Sequence, residues 1–382
     1  MENWGLSIFD PSTLLLNHKP AHKNKTSESR WYVSNIVAHE LVHQWFGNLV
    51  TCNWWSQTWL NEGFATYFSY VATELVDNAN LPWSRMVLDE SRYAMYNDAD
   101  ADNNWTMTSP ITSRTEADQV FGEYSYLCYA KGGSVLRMLE GFITEPAFRN
   151  GLSAYLKANS YESTTEDDLF FYLFEAGEAA GSWPGSYNGT LTFSQVMKTW
   201  TDQAGYPIIT AVVDCSTPSE RCSVDVSQAM FVTNGNMDTE RSWTVPLFAS
   251  VAGQSTHRVY WLENTRKVTL DLSDLYEPNT DELPLILNHD SYGYYRVMYD
   301  ADHWRSISEV IRLDKEKLSI LSRISIICDI EEFYIQGLIE ETLYDEVTSA
   351  WNGHYSEEEN WALEACGTSK QFKNKKNRKN NF

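Results

Sequence analysis

The sequence predicts an α+β multidomain protein, and three observations lead there. The part from Trp31 to Gln203 reads as mainly helical, short β-rich runs separated by turn residues follow, and a helical period returns after Asp300. At 382 residues the chain exceeds one ordinary core and sets a prior of roughly two or three domains. A hydrophobic fraction of 43% with 15 Trp, 22 Tyr and 16 Phe indicates a folded, aromatic-rich chain.

The elements follow in order. Apolar spacing from Trp31 to Phe46, stopped by Gly47-Asn48, predicts a largely buried helix. Leu60 to Leu75 reads as the next helix, with Leu49 to Trp59 as the connection. Beyond Asp77 polar loops alternate with helical stretches, clearest at Lys131–Phe142 and Ser194–Gln203. Gly177 to Gly189 reads as a loop, and Gly205-Tyr206-Pro207 marks a change of pattern. Strands are predicted at Ile208–Val213, Cys222–Val226, Ala229–Val232, Trp243–Val251, His257–Leu262, Lys267–Leu272, Leu283–Asn288 and Tyr292–Tyr299. Their spacing suggests a β-sandwich. Trp304, Ile307, Val310 and Ile311 restart the helical period, with further helices at Leu318–Tyr334 and Glu340–Trp351. The reading therefore divides the chain into 1–204, 205–299 and 300–382. The last part is the beginning of a helical domain that ends in a disordered basic tail, Lys370 to Lys379.

A formal charge of −23 opposes binding to nucleic acid or anionic lipid, so no nucleic-acid partner is expected. No apolar run is long enough to cross a bilayer. Of six cysteines only Cys215 and Cys222 are close, framing a turn-rich segment. Two readings stand: a local disulfide there, or six reduced and mostly buried thiols. Three glycosylation sequons, Asn24-Lys25-Thr26, Asn104-Trp105-Thr106 and Asn188-Gly189-Thr190, tilt the balance outward. No secretory signal precedes them, a mismatch that suggests a fragment.

The chemistry concentrates in His39-Glu40-Leu41-Val42-His43 and in Glu62 of the run Asn61-Glu62-Gly63. Two histidines four residues apart lie on one helix face and can bind one ion, and Glu62 supplies a third ligand. Two imidazoles and one carboxylate leave Zn²⁺, one per chain, an open position, where a bound water's pKa falls to about 7. Glu40, a non-ligand, can take that water's proton and pass it to a leaving amine. Cobalt or manganese would also suit these donors. His18, His22, His257, His289, His303 and His354 have no partner at ligand spacing and read as structural or surface residues. Cys52 and Cys128 lie near the site in sequence, and buried small hydrophobes are the favoured reading over a thiol that modulates the metal.

The full run His39 to Asn48, followed by Asn61-Glu62-Gly63-Phe64-Ala65, resembles the M1 family of zinc aminopeptidases, the gluzincins, in motif and in spacing. Met1-Glu2-Asn3-Trp4-Gly5-Leu6 looks like the second half of the family's GAMEN exopeptidase motif, without its leading Gly-Ala. After it, Ser7-Ile8-Phe9-Asp10 departs from the family's Thr-Tyr-Arg-Glu type of run. Tyr129-Ala130-Lys131-Gly132-Gly133 resembles the segment that carries the catalytic tyrosine. About three extra residues between Phe121 and Tyr129 leave Tyr126 and Tyr124 as alternatives. Gly205-Tyr206-Pro207 and Gly293-Tyr294-Tyr295-Arg296-Val297 look like the entry and exit of the family's β-sandwich.

The resemblance implies a mainly helical thermolysin-like catalytic domain, then a β-sandwich, then the start of an α-helical domain. It implies zinc ligation by His39, His43 and Glu62, catalysis by Glu40 and Tyr129, and substrate binding by Glu2 and Met1. The expected activity is removal of the N-terminal residue from peptides with a free amino terminus. The full-length form would be membrane-anchored on the extracellular side of the plasma membrane, with a homodimer allowed. A cytoplasmic member of the family is the alternative setting. A catalytically impaired, truncated peptide-binding or receptor-type protein is the alternative function.

Overall fold

Strands β1 (Glu2–Asn3) and β2 (Leu6–Ser7) pair antiparallel around Trp4-Gly5, where glycine takes a φ of +66°. The computed structural model describes residues 1–15, 23–77, 79, 81–100, 102–183, 191–214, 223–233, 237–238, 240–263, 265–272, 274–276, 283–351 and 353–367, and of 12 and 23–29 the backbone alone. The fold mixes helix and sheet as an α+β protein, and the chain divides into two compact units, 1–97 with 104–204 and 98–103 with 205–382. No helix among the described residues is long and apolar enough to cross a membrane.

In the first unit α1 (Pro11–Leu14), α2 (Lys23–Val42), β3 (Thr51–Cys52), α3 (Trp59–Asp77), α4 (Pro82–Arg85), α5 (Tyr93–Asp98) and α6 (Arg114–Phe121) follow the hairpin. Then come α7 (Ala130–Ile143), α8 (Glu145–Ala158), β4 (Ser163–Thr164), α9 (Glu166–Ala180) and α10 (Phe193–Thr201). Strands β3 and β4 pair in parallel. Helix α7 is the centre of the core, since all its residues except Glu140 and Gly141 are buried. Even Lys131 is enclosed, its Nζ 3.5 Å from the Gln203 carbonyl.

Helices α2 and α3 run antiparallel. Asn35 Nδ2 donates to Ser69 Oγ and Trp31 packs on Tyr70, while four residues further along α2 His39 meets Glu62, seven residues earlier on α3. Two expectations need correction here. Helix α2 ends at Val42 rather than at Phe46, because the amides of Gln44 and Trp45 bond three residues back and those of Asn48, Leu49 and Val50 five back. It is also half-buried rather than largely buried. One face packs on α3, while Tyr32 and Leu41 stand outward, each half-exposed. A third correction concerns the loop expected at Gly177–Gly189. Helix α9 continues through Gly177 to Ala180 and ends on Gly181, which has a φ of +67°; residues 184–190 lie outside the described set.

The second unit carries two sheets. Strands β5 (Pro207–Asp214), β6 (Ser223–Met230), β9 (Lys267–Asp271) and β11 (Arg296–Tyr299) make one, in the order β11-β5-β6-β9, with β11 parallel to β5. Strands β7 (Val245–Val251), β8 (Arg258–Leu262) and β10 (Leu285–Leu287) make the other, antiparallel in the order β10-β7-β8. The two strands expected at Cys222–Val226 and Ala229–Val232 are one. Ser227-Gln228 does not break it, because the buried Gln228 amide donates to the Trp243 and Thr265 carbonyls and accepts from the Trp243 amide.

Helices α11 (Ala301–Asp314), α12 (Ile320–Ile335), α13 (Glu341–Ser349) and α14 (Glu357–Gly367) complete this unit. Helix α14 was not anticipated. A disulfide between Cys328 and Cys366 ties it to α12, which corrects the reading of six reduced cysteines. The fully buried Glu359 bonds Arg323, Lys315 and the Trp351 indole. Cys215, Cys222 and the basic tail lie outside the described residues. Of the remaining histidines, His289 bonds Ser250 Oγ and His303 bonds the Leu285 carbonyl, both as buried structural contacts.

Candidate active site

Three side chains converge where α2 ends and α3 begins. His39 Nε2 lies 3.2 Å from Glu62 Oε2, His43 Nε2 lies 3.1 Å from His39 Nε2, and His43 Nε2 lies 3.2 Å from Glu62 Oε2. His43 is the first residue past the helix, yet its amide still reaches the His39 carbonyl at 3.3 Å, which keeps the two rings on one face. Its Nδ1 faces the Phe46 carbonyl at 3.0 Å, so Nδ1–H donates there and Nε2 is left as the acceptor turned to the cluster. Gly47 makes this possible. Its φ is +117°, and a Cβ there would stand 3.3 Å from His43 Nδ1.

A second helix crossing sets Glu62 against Tyr129. Helices α3 and α7 meet at Gly63 and Gly132 so closely that a Cβ on Gly63 would lie 3.0 Å from the Gly132 carbonyl carbon. Glu62 precedes one of these glycines, and Tyr129 stands three residues before the other. The Tyr129 ring stacks on His39 at 5.9 Å, and the Glu62 charge acts on its phenol. Tyr126, by contrast, is buried, and Tyr124 packs on Trp105, so Tyr129 is the tyrosine brought to the cluster.

The electrostatics follow from burial and proximity. Burial alone would raise the Glu62 carboxyl, but hydrogen bonds and charge from His39 and His43 outweigh it and hold the pKa at about 2. Burial would lower His43, and the Glu62 carboxylate reverses the sign and raises it. Tyr129 is pushed up, first by burial and then by the Glu62 charge, so it is a phenol with a proton to donate at neutral pH. Burial also pushes the Cys128 thiol up to about 12 and raises Cys52, which leaves both as poor nucleophiles and poor metal ligands.

The donor set suits a metal ion. A tetrahedral ion with bonds of roughly 2.0–2.1 Å spaces its ligand atoms about 3.3 Å apart, close to the three separations found here. Among the described residues this is the one group of three or more His, Cys, Asp or Glu side chains that could hold an ion. Glu40 stands beside it and is not part of it. Its Oε2 makes no hydrogen bond but is ion-paired with the Met1 amino group at 3.0 Å. Met1 is otherwise bonded to Ile8, and Glu2 is near enough for its charge to act on His43 and Tyr129.

Two residues that the motif reading did not single out reach the hairpin from the turn after His43. Gln44 Oε1 accepts from the Gly5 amide at 2.9 Å, and Asn48 Nδ2 donates to the Glu2 carbonyl at 2.5 Å. Their neighbours His43 and Gly47 carried the only signal that they would stand near the site.

Residues 1–200 match the family model described as the peptidase family M1 domain. The chain is 34% identical over 338 residues to aminopeptidase N of Homo sapiens, covering 86% of this chain and 32% of that protein. It is 31% identical over 336 residues to aminopeptidase Q of Homo sapiens and 32% identical over 338 residues to glutamyl aminopeptidase of Sus scrofa, with the same coverage in both cases, 86% and 32%. It thus spans about a third of the length of the curated relatives it matches. A family match over more than half of the chain, spanning the residues that form the cluster, means that the chain belongs to peptidase family M1.

Proposed function

We propose that this chain carries the catalytic centre of a zinc aminopeptidase that hydrolyses the first peptide bond of substrates with a free amino terminus. The observation that carries the reading is the triangle of His39, His43 and Glu62, with Glu40 next to His39 on the same helix. In this reading His39, His43 and Glu62 hold Zn²⁺, which when bound acidifies a coordinated water and polarises the scissile carbonyl. Glu40 Oε2 takes the proton of the attacking water and returns it to the leaving amine. The Tyr129 phenol donates to the oxygen on which negative charge develops. The Glu2 carboxylate accepts charge-assisted hydrogen bonds from the substrate's α-ammonium, which confines cleavage to the first bond.

The proposal also assigns 1–204 as the catalytic domain, 205–299 as a β-sandwich and 300–382 as the start of a helical domain. An extracellular setting is supported by the exposed Asn104 of a sequon, and glycan occupancy at that asparagine tests it.

The activity is tested by hydrolysis of a free-amine aminoacyl anilide beside its N-acetylated twin. Cleavage is expected for the free amine alone, lost on chelation and restored by zinc. Glu40→Gln should lower kcat about 10²–10⁴-fold at unchanged metal content. Tyr129→Phe should lower kcat about 10²–10³-fold with little change in KM. Turnover that survives chelation, or equal cleavage of the acetylated twin, would refute the reading.

A further inference from the structure

The hairpin that carries Glu2 is not held by its own strand pairing alone. Gln44 grips its backbone at two points, Oε1 accepting from the Gly5 amide at 2.9 Å and Nε2 donating to the Asn3 carbonyl at 3.4 Å. Asn48 Nδ2 adds a third, to the carbonyl of Glu2 itself, at 2.5 Å. These are amide side chains, able to satisfy a donor and an acceptor of the same strand without bringing a charge to the site. Both rise from the short turn that fixes His43. Gln44 follows the ligand directly, and Asn48 follows Gly47, which packs on the His43 ring. Within the turn the Gly47 amide bonds forward to the Val50 carbonyl, and the amides of Asn48, Leu49 and Val50 bond back to the carbonyls of His43, Gln44 and Trp45. Glu2 therefore has a fixed position relative to a metal ligand through one uninterrupted set of bonds, and its charge reaches both His43 and Tyr129.

We infer that Gln44 and Asn48 are positioning residues that set the distance between the amine-recognising carboxylate and the metal site, and so determine that the first bond is the one presented for cleavage. The inference rests on the aminopeptidase reading above. Neither residue touches a reacting atom. Each acts on Glu2 through the hairpin backbone, so loosening the grip weakens capture of the substrate amine while the ligand cluster stays intact. Each neutral hydrogen bond to an exposed strand contributes modestly, and loss of the two made by Gln44 corresponds to a change of about tenfold in affinity for the amine.

The test is Gln44→Met, nearly isosteric and without the amide, together with Asn48→Ala, in the full chain. KM for the free-amine anilide should rise about tenfold in Gln44→Met, with kcat within a fewfold and metal content equal to the parent's. Hydrogen exchange at the Gly5 amide should accelerate in Gln44→Met and return toward the parent rate in Gln44→Glu, which restores the acceptor. Unchanged KM in both Gln44→Met and Asn48→Ala at full metal content would overturn the inference, as would a kcat loss that merely tracks lost metal. If the parent chain itself shows no turnover, the aminopeptidase reading fails on its own. Exchange then decides the matter separately, because a Gly5 amide equally unprotected in parent and variant overturns the grip.

Discussion

Gly63→Ala tests whether the site depends on a helix crossing rather than on the ligands alone. In the middle of a helix the exchange would ordinarily help, since alanine is favoured over glycine by about 1 kcal/mol. Here the new Cβ would meet the Gly132 carbonyl carbon at 3.0 Å, the Gly132 Cα at 3.1 Å and the Cys128 carbonyl oxygen at 3.3 Å. All three are backbone atoms, and no rotamer change relieves them. Helices α3 and α7 must separate by a few tenths of an ångström, with α7 enclosed on nearly all sides. Overpacking of this kind costs about 1–3 kcal/mol, and an all-backbone clash belongs in the upper half of that range. Subtracting the propensity gain leaves a net loss of about 1–2 kcal/mol, or a fall in Tm of about 2–8 °C for a unit of this size. The same separation draws Glu62 from Tyr129, so zinc affinity should weaken about tenfold, as when the surroundings of a ligand are disturbed. Differential scanning calorimetry and competition for zinc with a chelator of known affinity measure the two effects. A variant as stable as the parent or more so, with undiminished zinc affinity, would show that the crossing tolerates a methyl group and would refute the reasoning.

Burial, followed by the charge of Asp202, raises the Glu166 carboxyl to about 7. The folded state therefore keeps a proton that the unfolded chain has already lost, and stability falls as pH rises from about 4.5 to about 7, by about 3 kcal/mol in all. Glu166→Gln should flatten that slope in denaturation curves taken across the range and should be the more stable form at pH 8, and an unchanged slope would count against the burial argument. In the second unit the Cys328–Cys366 disulfide closes a loop of 38 residues, and replacing both cysteines by serine should cost up to about 4 kcal/mol. Urea denaturation checks the cost, and loss of helix at α14 by hydrogen exchange identifies the segment released.

The cluster of candidate ligands was legible because its geometry is local. A repeat of four on one helix brings His39 and His43 together whatever surrounds them, and Glu62 needed only an antiparallel return. Tyr129 was ambiguous because extra residues blur a register counted along the chain. In the structure a 3-10 turn at Ser125–Leu127 takes up that length, turning Tyr126 into the core and leaving Tyr129 at the start of α7. Strand β6 was read as two because Ser227-Gln228 looks like a turn, whereas a glutamine whose amide finds three backbone partners is at no disadvantage inside a sheet. Helix α14 was missed for the same reason. Nothing local in Glu357-Glu358-Glu359 shows that Glu359 meets Arg323 and Lys315 from other elements. The cysteines 38 residues apart carried no spacing signal at all.

Composition announced many aromatic residues without saying what they do, and Phe46 shows why that step needs three dimensions. Its backbone carbonyl accepts from His43 Nδ1 and so fixes which nitrogen faces the cluster. Its ring stacks at 4.2 Å on Phe64, two residues after Glu62, and at 5.7 Å on Phe68 one turn further along α3. One buried residue therefore holds the tautomer of His43 through its main chain and the helix of Glu62 through its side chain. From the sequence Phe46 is only the last apolar position of a helical pattern, and either role taken alone would look like ordinary core packing. The two roles make the separation of His43 and Glu62 a property of the aromatic core rather than of the motif alone.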